Sequence, residues 1–509
     1  MEAHNNKRIA KNTAFLYTGM IVRMFVAFYT SRLVLDALGV DDFGIYNVVG
    51  GAAVMFVFFS SSLTNATQRY LNYEMATGTP ERVRQIFNQN FLIYAAICLL
   101  TLLVGGIIGN WLVEDVLVIG AGRIEAAKAV LWASLFSLIF SLMGSVYESV
   151  LVARENMKAF AYVNVFEALL RLGVAFSIQF VPADRLICYA IFIALAEVIS
   201  KSIIILYCRR LYPETRLLWF FDWRLVRELF AFIGWNLYSG AAWMAVEQGF
   251  NIFLNLFFGP AVNAARGIAL QVNLAVNNFS LNFYKAVQPQ IVKTYASREL
   301  QQFYTLISSS SRLSFFLLLM LCVPLILRSD YVLQLWLTDV PPYTSQFVEW
   351  VLIYSLVFSL NTPLWTAIQA VGHLRATSLY GNTVYLLALP ATYVLLKLGF
   401  PPYSIFQMLV VVRILYLIIA IRMLNRHVDF PLSSYCRHIV LPILLVSVVS
   451  VLPAVIINHF LPDNFGGLVV LCFAYVLILL PTAYFLGVTP QERVYLLSAA
   501  QNLLKKLRN

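Results

Sequence analysis

About fourteen apolar segments run through the whole chain, each near the length of about 20 residues at which a helix crosses the hydrocarbon core of a bilayer. Charged residues, Pro/Gly pairs or Asn/Asp turns bound each segment. The chain is 61% hydrophobic and 12% charged, which leaves too little polar sequence to cover soluble domains. The sequence therefore predicts an all-α polytopic membrane protein. We place the spans at residues 13–38, 44–63, 90–113, 127–152, 159–181, 186–208, 230–258, 263–284, 303–327, 346–370, 377–398, 403–424, 438–457 and 465–486.

Lys and Arg residues are concentrated in alternate connecting segments, which indicates that both termini are cytoplasmic. The first span is long, contains Arg23 and Arg32, and lacks a small-residue cleavage site, so we expect it to be retained. The net charge of +11 is attributed to this topology and to contact with anionic lipid. Nucleic-acid binding is not predicted. The short loops and the absence of a G-x-x-x-x-G-K-[ST] motif exclude ATP-driven transport by this polypeptide alone.

The chain divides into two groups of six spans. A charged and aromatic segment, Trp219 to Trp235, lies between them and is typical of an interfacial helix. An offset of 220 residues aligns Gly39 with Gly259 and Gln68 with Gln288, among other identities, and both halves start from the same side. We predict two six-helix lobes related by a parallel pseudo-repeat. The predicted division is an N-lobe at 1–215, a C-lobe at 216–430, and two further spans with a basic tail at 431–509.

Two pairs of ionisable residues lie inside predicted spans. Glu167 with Arg171, and Glu197 with Lys201, are i,i+4 pairs with the acid on the N-terminal side, the orientation in which such side chains meet best. Either these are neutralised structural pairs or they line a transport path. Arg32, with Asp36 one turn further on, is explained by snorkelling toward the headgroups.

Among the ionisable residues inside spans, Arg23, Glu247, Arg266 and Arg413 have no local partner. An arginine at this depth is best explained by a water-filled cavity or by an anionic substrate that enters it. Its planar, permanently charged fork suits phosphate. The alternative is that Glu247 forms an ion pair with Arg23 or Arg266.

Spans eight and ten are unusually rich in amides. A lipid-facing helix cannot satisfy so many amide groups, so one face must contact water or polar protein groups. Amides together with an aromatic ring suit a sugar, which is bound by hydrogen bonds and ring stacking. Adhesion between helices is the alternative. The candidate lining residues are Gln271, Asn273, Asn277, Asn361, Trp365 and Gln369.

Motifs for catalysis and metal binding are lacking. The five histidines lie at termini, in loops or at span ends, and neither H-E-x-x-H nor G-x-S-x-G occurs. The six cysteines are scattered, without a C-x-x-C. We predict no catalytic residue, metal or cofactor, and interpret the chain as a protein that is not an enzyme. An intramembrane hydrolase or glycan ligase remains an alternative.

Several motifs resemble the polysaccharide-transporter branch of the multidrug/oligosaccharidyl-lipid/polysaccharide flippase superfamily. They are S-R-L-V-L-D-A-L-G-V-D-D-F-G-I-Y-N (Ser31 to Asn47), A-T-Q-R-Y (Ala66 to Tyr70), V-N-A-A-R-G-I-A-L-Q-V (Val262 to Val272), A-V-Q-P-Q-I (Ala286 to Ile291) and I-Q-A-V-G-H-L-R (Ile368 to Arg375). The resemblance implies two lobes in a V-shape around a central cavity, two extra C-terminal helices, and alternating access without ATP.

The resemblance also implies a function. Related flippases move undecaprenyl-pyrophosphate-linked sugars from the inner to the outer leaflet of the bacterial cytoplasmic membrane, using cationic cavity residues. Arg23 and Arg266 match positions expected to meet the pyrophosphate. Arg69, at the inner end of span two, is a further candidate contact, with a loop arginine beside anionic headgroups as the alternative. The family pattern has no firm counterpart for Arg413. The implied partners are a lipid-linked oligosaccharide and membrane lipid, with glycan polymerase or ligase machinery as a further candidate.

Three alternatives stay open at this point. A cation-coupled drug exporter of the same fold should have an acidic, aromatic cavity. A lipid II flippase would share both fold and charge. A membrane scaffold or glycan ligase would have a closed core without a connected polar cavity.

Overall fold

The computed structural model describes residues 24–54, 67, 71, 75, 79–154, 156–218, 220–371, 374–426, 428–430, 432–490 and 492–493. These residues form helices and turns, with no strand among them. A short helix, Leu432–Tyr435, and a π turn, Cys436–Val440, precede the helix Leu441–Phe460. The helices are α1 (24–38), α2 (Val40–Val54), α3 (Pro80–Trp111), α4 (Ile124–Ala153), α5 (Met157–Ser177), α6 (Arg185–Leu211), α7 (Trp223–Phe258), α8 (Pro260–Ala296), α9 (Leu300–Leu327), α10 (Ser329–Trp336), α11 (Thr344–Val371), α12 (Leu374–Leu386), α13 (Ala388–Lys397), α14 (Ser404–Asn425), α15 (Leu441–Phe460) and α16 (Phe465–Thr482).

Membrane-spanning length and composition are met by 10 helical segments in the described part of the chain. The most apolar is Leu432–Phe460, with a mean hydropathy of 2.8 in its best window. Helices α7 and α8 are 36 and 37 residues long, which exceeds the length needed to cross a bilayer. The predicted all-helical, multi-pass class is confirmed.

The eleventh predicted span is divided into α12 and α13. The division falls at Leu387, three residues before Pro390, which lies in the first turn of α13. Proline cannot donate the backbone hydrogen bond to the residue four positions earlier, and its ring crowds that carbonyl group. An apolar stretch that reads as one span is therefore built from two helices.

The chain forms two compact units. Unit 1 comprises Met1–Ile268 and Trp336–Pro342, and unit 2 comprises Ala269–Leu335 and Tyr343–Asn509. In unit 1, α4 packs along α6 and against α3; in unit 2, α11 packs against α9 and α14. The contact boundary lies inside α8, whereas the sequence-based boundary between lobes lies at residues 215 and 216. Because that boundary rests on the repeat rather than on packing, the lobe division stays a prediction.

Two glycines that the predicted repeat aligns share an unusual backbone conformation. Gly39, between α1 and α2, has φ 78°, and Gly259, between α7 and α8, has φ 81°. L side chains rarely adopt this left-handed region, so glycine is favoured at both turns. The turn that follows the first span of each half is thus built in the same way.

Two buried arginines of α9 bind the segments that flank the last two helices. Arg312 donates to both carboxylate oxygens of Glu492 at 2.6 and 2.7 Å and to the backbone oxygen of His438 at 2.5 Å. Arg328, at the end of α9, pairs with Asp463 in the connection between α15 and α16. Since both arginine side chains are at most 4% exposed, the C-terminal pair of helices is an integral part of unit 2.

A close contact between α2 and the start of α8 requires a glycine. A Cβ atom added to Gly44 would overlap the carbonyl oxygen of Pro260 and lie 2.5 Å from its carbonyl carbon. The obstacle is backbone, which cannot move aside as a side chain can. By contrast, a Cβ atom added to Gly173, inside α5, would meet nothing within 4 Å.

We therefore expect Gly44→Ala to destabilise the protein by about 3 kcal/mol or more, the upper end of the range for overpacking. The matched control Gly173→Ala should be neutral or stabilising by up to about 1 kcal/mol, because alanine is the better helix former. Thermal unfolding of the detergent-purified variants measures both effects. Equal melting temperatures for the two variants would contradict the close α2–α8 contact.

Candidate functional site

Arg266 lies at the centre of a buried polar cluster in unit 1. The turn at Gly259 makes α7 and α8 antiparallel neighbours, which brings Glu247 and Asn251 of α7 beside Arg266 of α8. The Nη2 group of Arg266 pairs with Glu247, and Nη1 donates to Asn251 Oδ1 at 2.7 Å. Arg266 is only 2% exposed, and its Nε has no hydrogen-bond partner.

The Glu247–Arg266 pair confirms the ion pair that the sequence left open as an alternative. The two residues are far apart in sequence and sit on consecutive helices, so periodicity within a single helix cannot detect the pair. Because the pair is neutral overall, it provides no excess positive charge for an anion.

A second group of charges joins α4, α5 and α6. The predicted pairs are confirmed, with Arg171 Nη2 3.0 Å from Glu167 Oε1 and Lys201 Nζ 3.7 Å from Glu197 Oε1. Contacts between helices are shorter: Arg171 lies 2.7 Å from Glu197, and Lys201 lies 2.8 Å from Glu148. We call these five residues the charge cluster.

Glu148 is the member of the charge cluster that sequence reasoning missed. It lies in the last third of α4, inside the fourth predicted span, with no basic residue one turn away on either side. A carboxylate in an apolar span without a basic residue one turn away indicates a contact with another helix. The same pattern identified Glu247. The partner of Glu148, Lys201, could not be inferred, because that residue already had a local acid in Glu197.

Arg413 lies near the middle of α14 in an aromatic cage. Its guanidinium carbon is 4.8 Å from the ring centroids of Phe358 and Tyr385. Its Nε and Nη2 groups donate to the hydroxyl of Tyr354 at 3.2 and 3.1 Å. No carboxylate forms an ion pair with Arg413 in the part of the chain that the structure describes. The cage residues come from α11 and α12, which together with α14 belong to unit 2.

The candidate amides of unit 2 meet a buried serine. Asn273 and Asn277 donate to the hydroxyl of Ser355 at 2.7 and 3.2 Å. Asn361 is buried, its amide nitrogen bonds to its own helix, and its Oδ1 has no hydrogen-bond partner. The buried Oε1 of Gln271 likewise has none. Two of these amides therefore retain an unused acceptor.

The remaining candidates are placed as follows. Trp365 is half-buried in α11; Gln369 lies in the same helix, but its side chain is outside the described part of the structure. Arg23 and Arg69 also lie outside the described residues. Arg32 is half-buried in α1, and Asp36, rather than pairing with it, accepts a hydrogen bond from Thr338 at 3.0 Å.

Outside the spans, three charged residues form ion pairs that join separate segments of unit 1. Arg123, between α3 and α4, pairs with Asp42 and with Asp184. Burial works against ionisation of Asp184, but hydrogen bonds from Arg123 and from the backbone of Ile187 and Leu186 bring its pKa below the ordinary value. Asp184 thus stays ionised at neutral pH, whereas burial raises the pKa of Asp42, the other partner of Arg123.

Neither a protein-family profile nor a curated protein sequence matches the chain. Several solved structures, however, are similar to the chain. A lipid II flippase, MurJ, in an inward closed conformation matches with a TM-score of 0.69 at 13% identity, over 93% of this chain and 98% of that one.

Two transporters of the MOP superfamily are also similar. An inward-facing multidrug resistance MATE family transporter matches with a TM-score of 0.69 at 11% identity, over 80% of this chain and 94% of that one. A transporter from Pyrococcus furiosus, described as having a binding pocket of reverse polarity, gives a TM-score of 0.53 at 13% identity, over 81% and 97% of the two chains. The chain therefore has the fold that MurJ and these MOP-superfamily proteins share.

Proposed function

We propose that the protein is a flippase of the polysaccharide-transporter branch. It translocates a polyprenyl-pyrophosphate-linked oligosaccharide, an O-antigen or a capsule or exopolysaccharide repeat unit, across the bacterial cytoplasmic membrane. Transport proceeds by alternating access and without catalysis by this chain. Both termini face the cytoplasm, and glycan polymerase or ligase machinery receives the translocated unit.

The observation that carries this proposal is the positive charge of Arg413. A guanidinium group inside a membrane helix is costly unless it is paired or meets an anion. Its aromatic cage provides cation–π attraction but no negative charge. A pyrophosphate group supplies that charge, and the planar guanidinium can bind it through two parallel hydrogen bonds.

Other residues of unit 2 support a glycan ligand. Asn361 and Gln271 each have a buried side-chain oxygen without a hydrogen-bond partner. Sugar hydroxyls are donors that satisfy such acceptors, and Trp365 offers a ring for stacking. The apolar polyprenyl chain remains in the lipid.

Two other transport functions are kept as candidates, each for a stated reason. A lipid II flippase is favoured by the match to MurJ, which covers 93% of this chain. A multidrug exporter is favoured by the MATE match, but a drug cation would be repelled by Arg413.

Reconstitution into proteoliposomes tests the proposal. The full chain should accelerate the transbilayer movement of a fluorescent polyprenyl-pyrophosphate oligosaccharide above the rate in protein-free vesicles. The same lipid with a dephosphorylated head, and a fluorescent phosphatidylcholine, serve as matched controls. Equal acceleration of all three lipids would refute the proposal. Faster movement of lipid II, or extrusion of a cationic dye instead, would assign one of the two other functions.

A further inference from the structure

Three arginines line a cavity at one end of the helices of unit 1. The cavity has a volume of about 450 Å³, within the range of about 300–1,000 Å³ that is usual for small-molecule sites. Arg84 lies near the start of α3, Arg154 follows the end of α4, and Arg216 lies in the linker between α6 and α7. Helices α3, α4 and α6 are all long and apolar enough to span a membrane, and α3 begins where α4 and α6 end. The cavity therefore lies at the level of the membrane surface.

Two of these arginines are held in place and keep donors available. The Nε of Arg84 donates to the backbone oxygen of Arg216 at 3.2 Å, so its two Nη groups remain available among the described residues. The Nε and Nη2 groups of Arg154 donate to Glu214 Oε1 at 2.8 and 2.6 Å, and its guanidinium carbon lies 5.8 Å from the ring centroid of Tyr212. A guanidinium that is already oriented loses less conformational freedom when it binds an anion.

The linker that carries Arg216 is also fixed to α3. Asn88 and Gln89 are buried in α3, and their side-chain oxygens accept from the backbone nitrogens of Leu218 and Asp222 at 2.6 and 2.8 Å. The side-chain nitrogen of Asn88 also donates to the backbone oxygen of Arg216 at 3.3 Å. The linker is thus a built wall of the cavity.

The charge of the cavity is positive. Its lining holds three guanidinium groups and two carboxylates, those of Glu81 and Glu214. Glu214 is buried and is already paired with Arg154. In the part of the chain that the structure describes, neither Arg84 nor Arg216 forms an ion pair, and Glu81 is exposed. Cations that line one cavity repel each other, and a bound anion relieves this repulsion.

Apolar side chains beside the cavity indicate where this anion comes from. Leu217, Phe221 and Trp223 are exposed at the end of the linker and the start of α7, and the rings of Phe221 and Trp223 are 6.3 Å apart. Tryptophan is enriched where a membrane meets water. A lipid can therefore place its headgroup in the cavity while its chains remain beside these apolar side chains.

We propose that this cavity binds the phosphate group of an anionic membrane phospholipid. Arg84 and Arg216 supply the uncompensated charge, and Arg154 adds a donor from Nη1. The planar guanidinium fork matches the oxygens of a phosphate group. A phosphatidylcholine headgroup also carries a cation, which the cavity repels, so an anionic headgroup is preferred. The site lies in unit 1, uses none of the residues that carry the proposed function, and does not depend on it.

Native mass spectrometry of the purified full chain tests the proposal, because it gives an affinity for each added lipid. The parent should bind phosphatidylglycerol more tightly than phosphatidylcholine. Arg216→Ala should weaken the binding of phosphatidylglycerol about fivefold, the equivalent of about 1 kcal/mol for one arginine at a membrane surface. Arg210→Ala is the matched control, because Arg210 is exposed at the end of α6 and does not line the cavity. An equal loss in both variants would show diffuse attraction to the protein surface and refute the site.

A variant that gains affinity guards against effects of misfolding. Glu81→Gln removes an exposed negative charge from the cavity lining, so it should bind phosphatidylglycerol more tightly than the parent. Unchanged or weaker binding would contradict the proposed site.

Inorganic phosphate distinguishes a lipid from a soluble ligand. Added to the parent at the same concentration as phosphatidylglycerol, it should not displace the lipid, because it lacks the apolar contacts. Displacement would assign the cavity to a soluble phosphate compound and overturn the lipid assignment. None of these measurements requires transport, so a failure of the proposed function leaves their outcome unaffected.

Discussion

Replacing Arg266 with alanine is expected to destabilise the protein by about 3–5 kcal/mol, because it removes one partner of a buried ion pair. Glu247, whose side chain is 13% exposed, would lose its ion pair with Arg266, and Asn251 would lose the donor that binds its side-chain oxygen. The mechanism is the loss of a buried ion pair, so low protein levels should accompany any loss of transport. Thermal unfolding in detergent measures the change.

A double variant separates pairing from substrate binding. Replacing both members, as Arg266→Met with Glu247→Met, removes the charge together with its partner, and such exchanges are often neutral or stabilising. We expect most of the lost stability to return. Arg224→Ala, an exposed arginine on α7, is the matched control and should change stability by less than about 0.5 kcal/mol. If the single variant is as stable as this control, the pair is not buried as described.

The double variant also decides the role that the resemblance assigns to Arg266. Normal transport by a stable double variant would make the pair structural. Loss of transport at normal stability would favour contact with the pyrophosphate. Arg266→Ala alone cannot distinguish these outcomes, because it alters stability as well.

Local patterns were the part of this molecule that could be predicted from its sequence. Glu167 and Arg171 lie one helical turn apart, so their contact follows from the helix itself. The turn at Gly259 follows from its alignment with Gly39, and both glycines have positive φ. Spans could be recognised because apolar length is a property of contiguous sequence.

Contacts between distant segments were not predictable in the same way. The partners of Arg413 come from two other helices, and nothing near residue 413 indicates them. The ion pair between Lys201 and Glu148 competes with a local alternative, and only packing decides between the two. The site is thus determined by tertiary packing, whereas the fold class is determined by composition and periodicity.

Replacing Arg413 with methionine is expected to reduce transport at least about tenfold, because losing one side of a desolvated charge contact costs about 2–5 kcal/mol. Unlike Arg266, Arg413 forms no ion pair with a carboxylate of the described residues, so stability should change far less than in Arg266→Ala. The loss should therefore appear in the transport rate at normal protein levels. Lipid movement in proteoliposomes, set beside thermal unfolding, measures the two effects separately.

Finer variants of the cage test how the guanidinium is used. Arg413→Lys keeps the charge but loses the planar fork that lies over the rings of Phe358 and Tyr385. Its transport rate should therefore lie between those of Arg413→Met and the parent. Tyr354→Phe retains the ring and removes the hydroxyl that accepts from Nε and Nη2, so the guanidinium plane is no longer fixed. Arg422→Ala, an exposed arginine on the same helix, is the matched control. Transport by Arg413→Met at the rate of this control would show that the positive charge in the cage serves packing and not an anionic substrate.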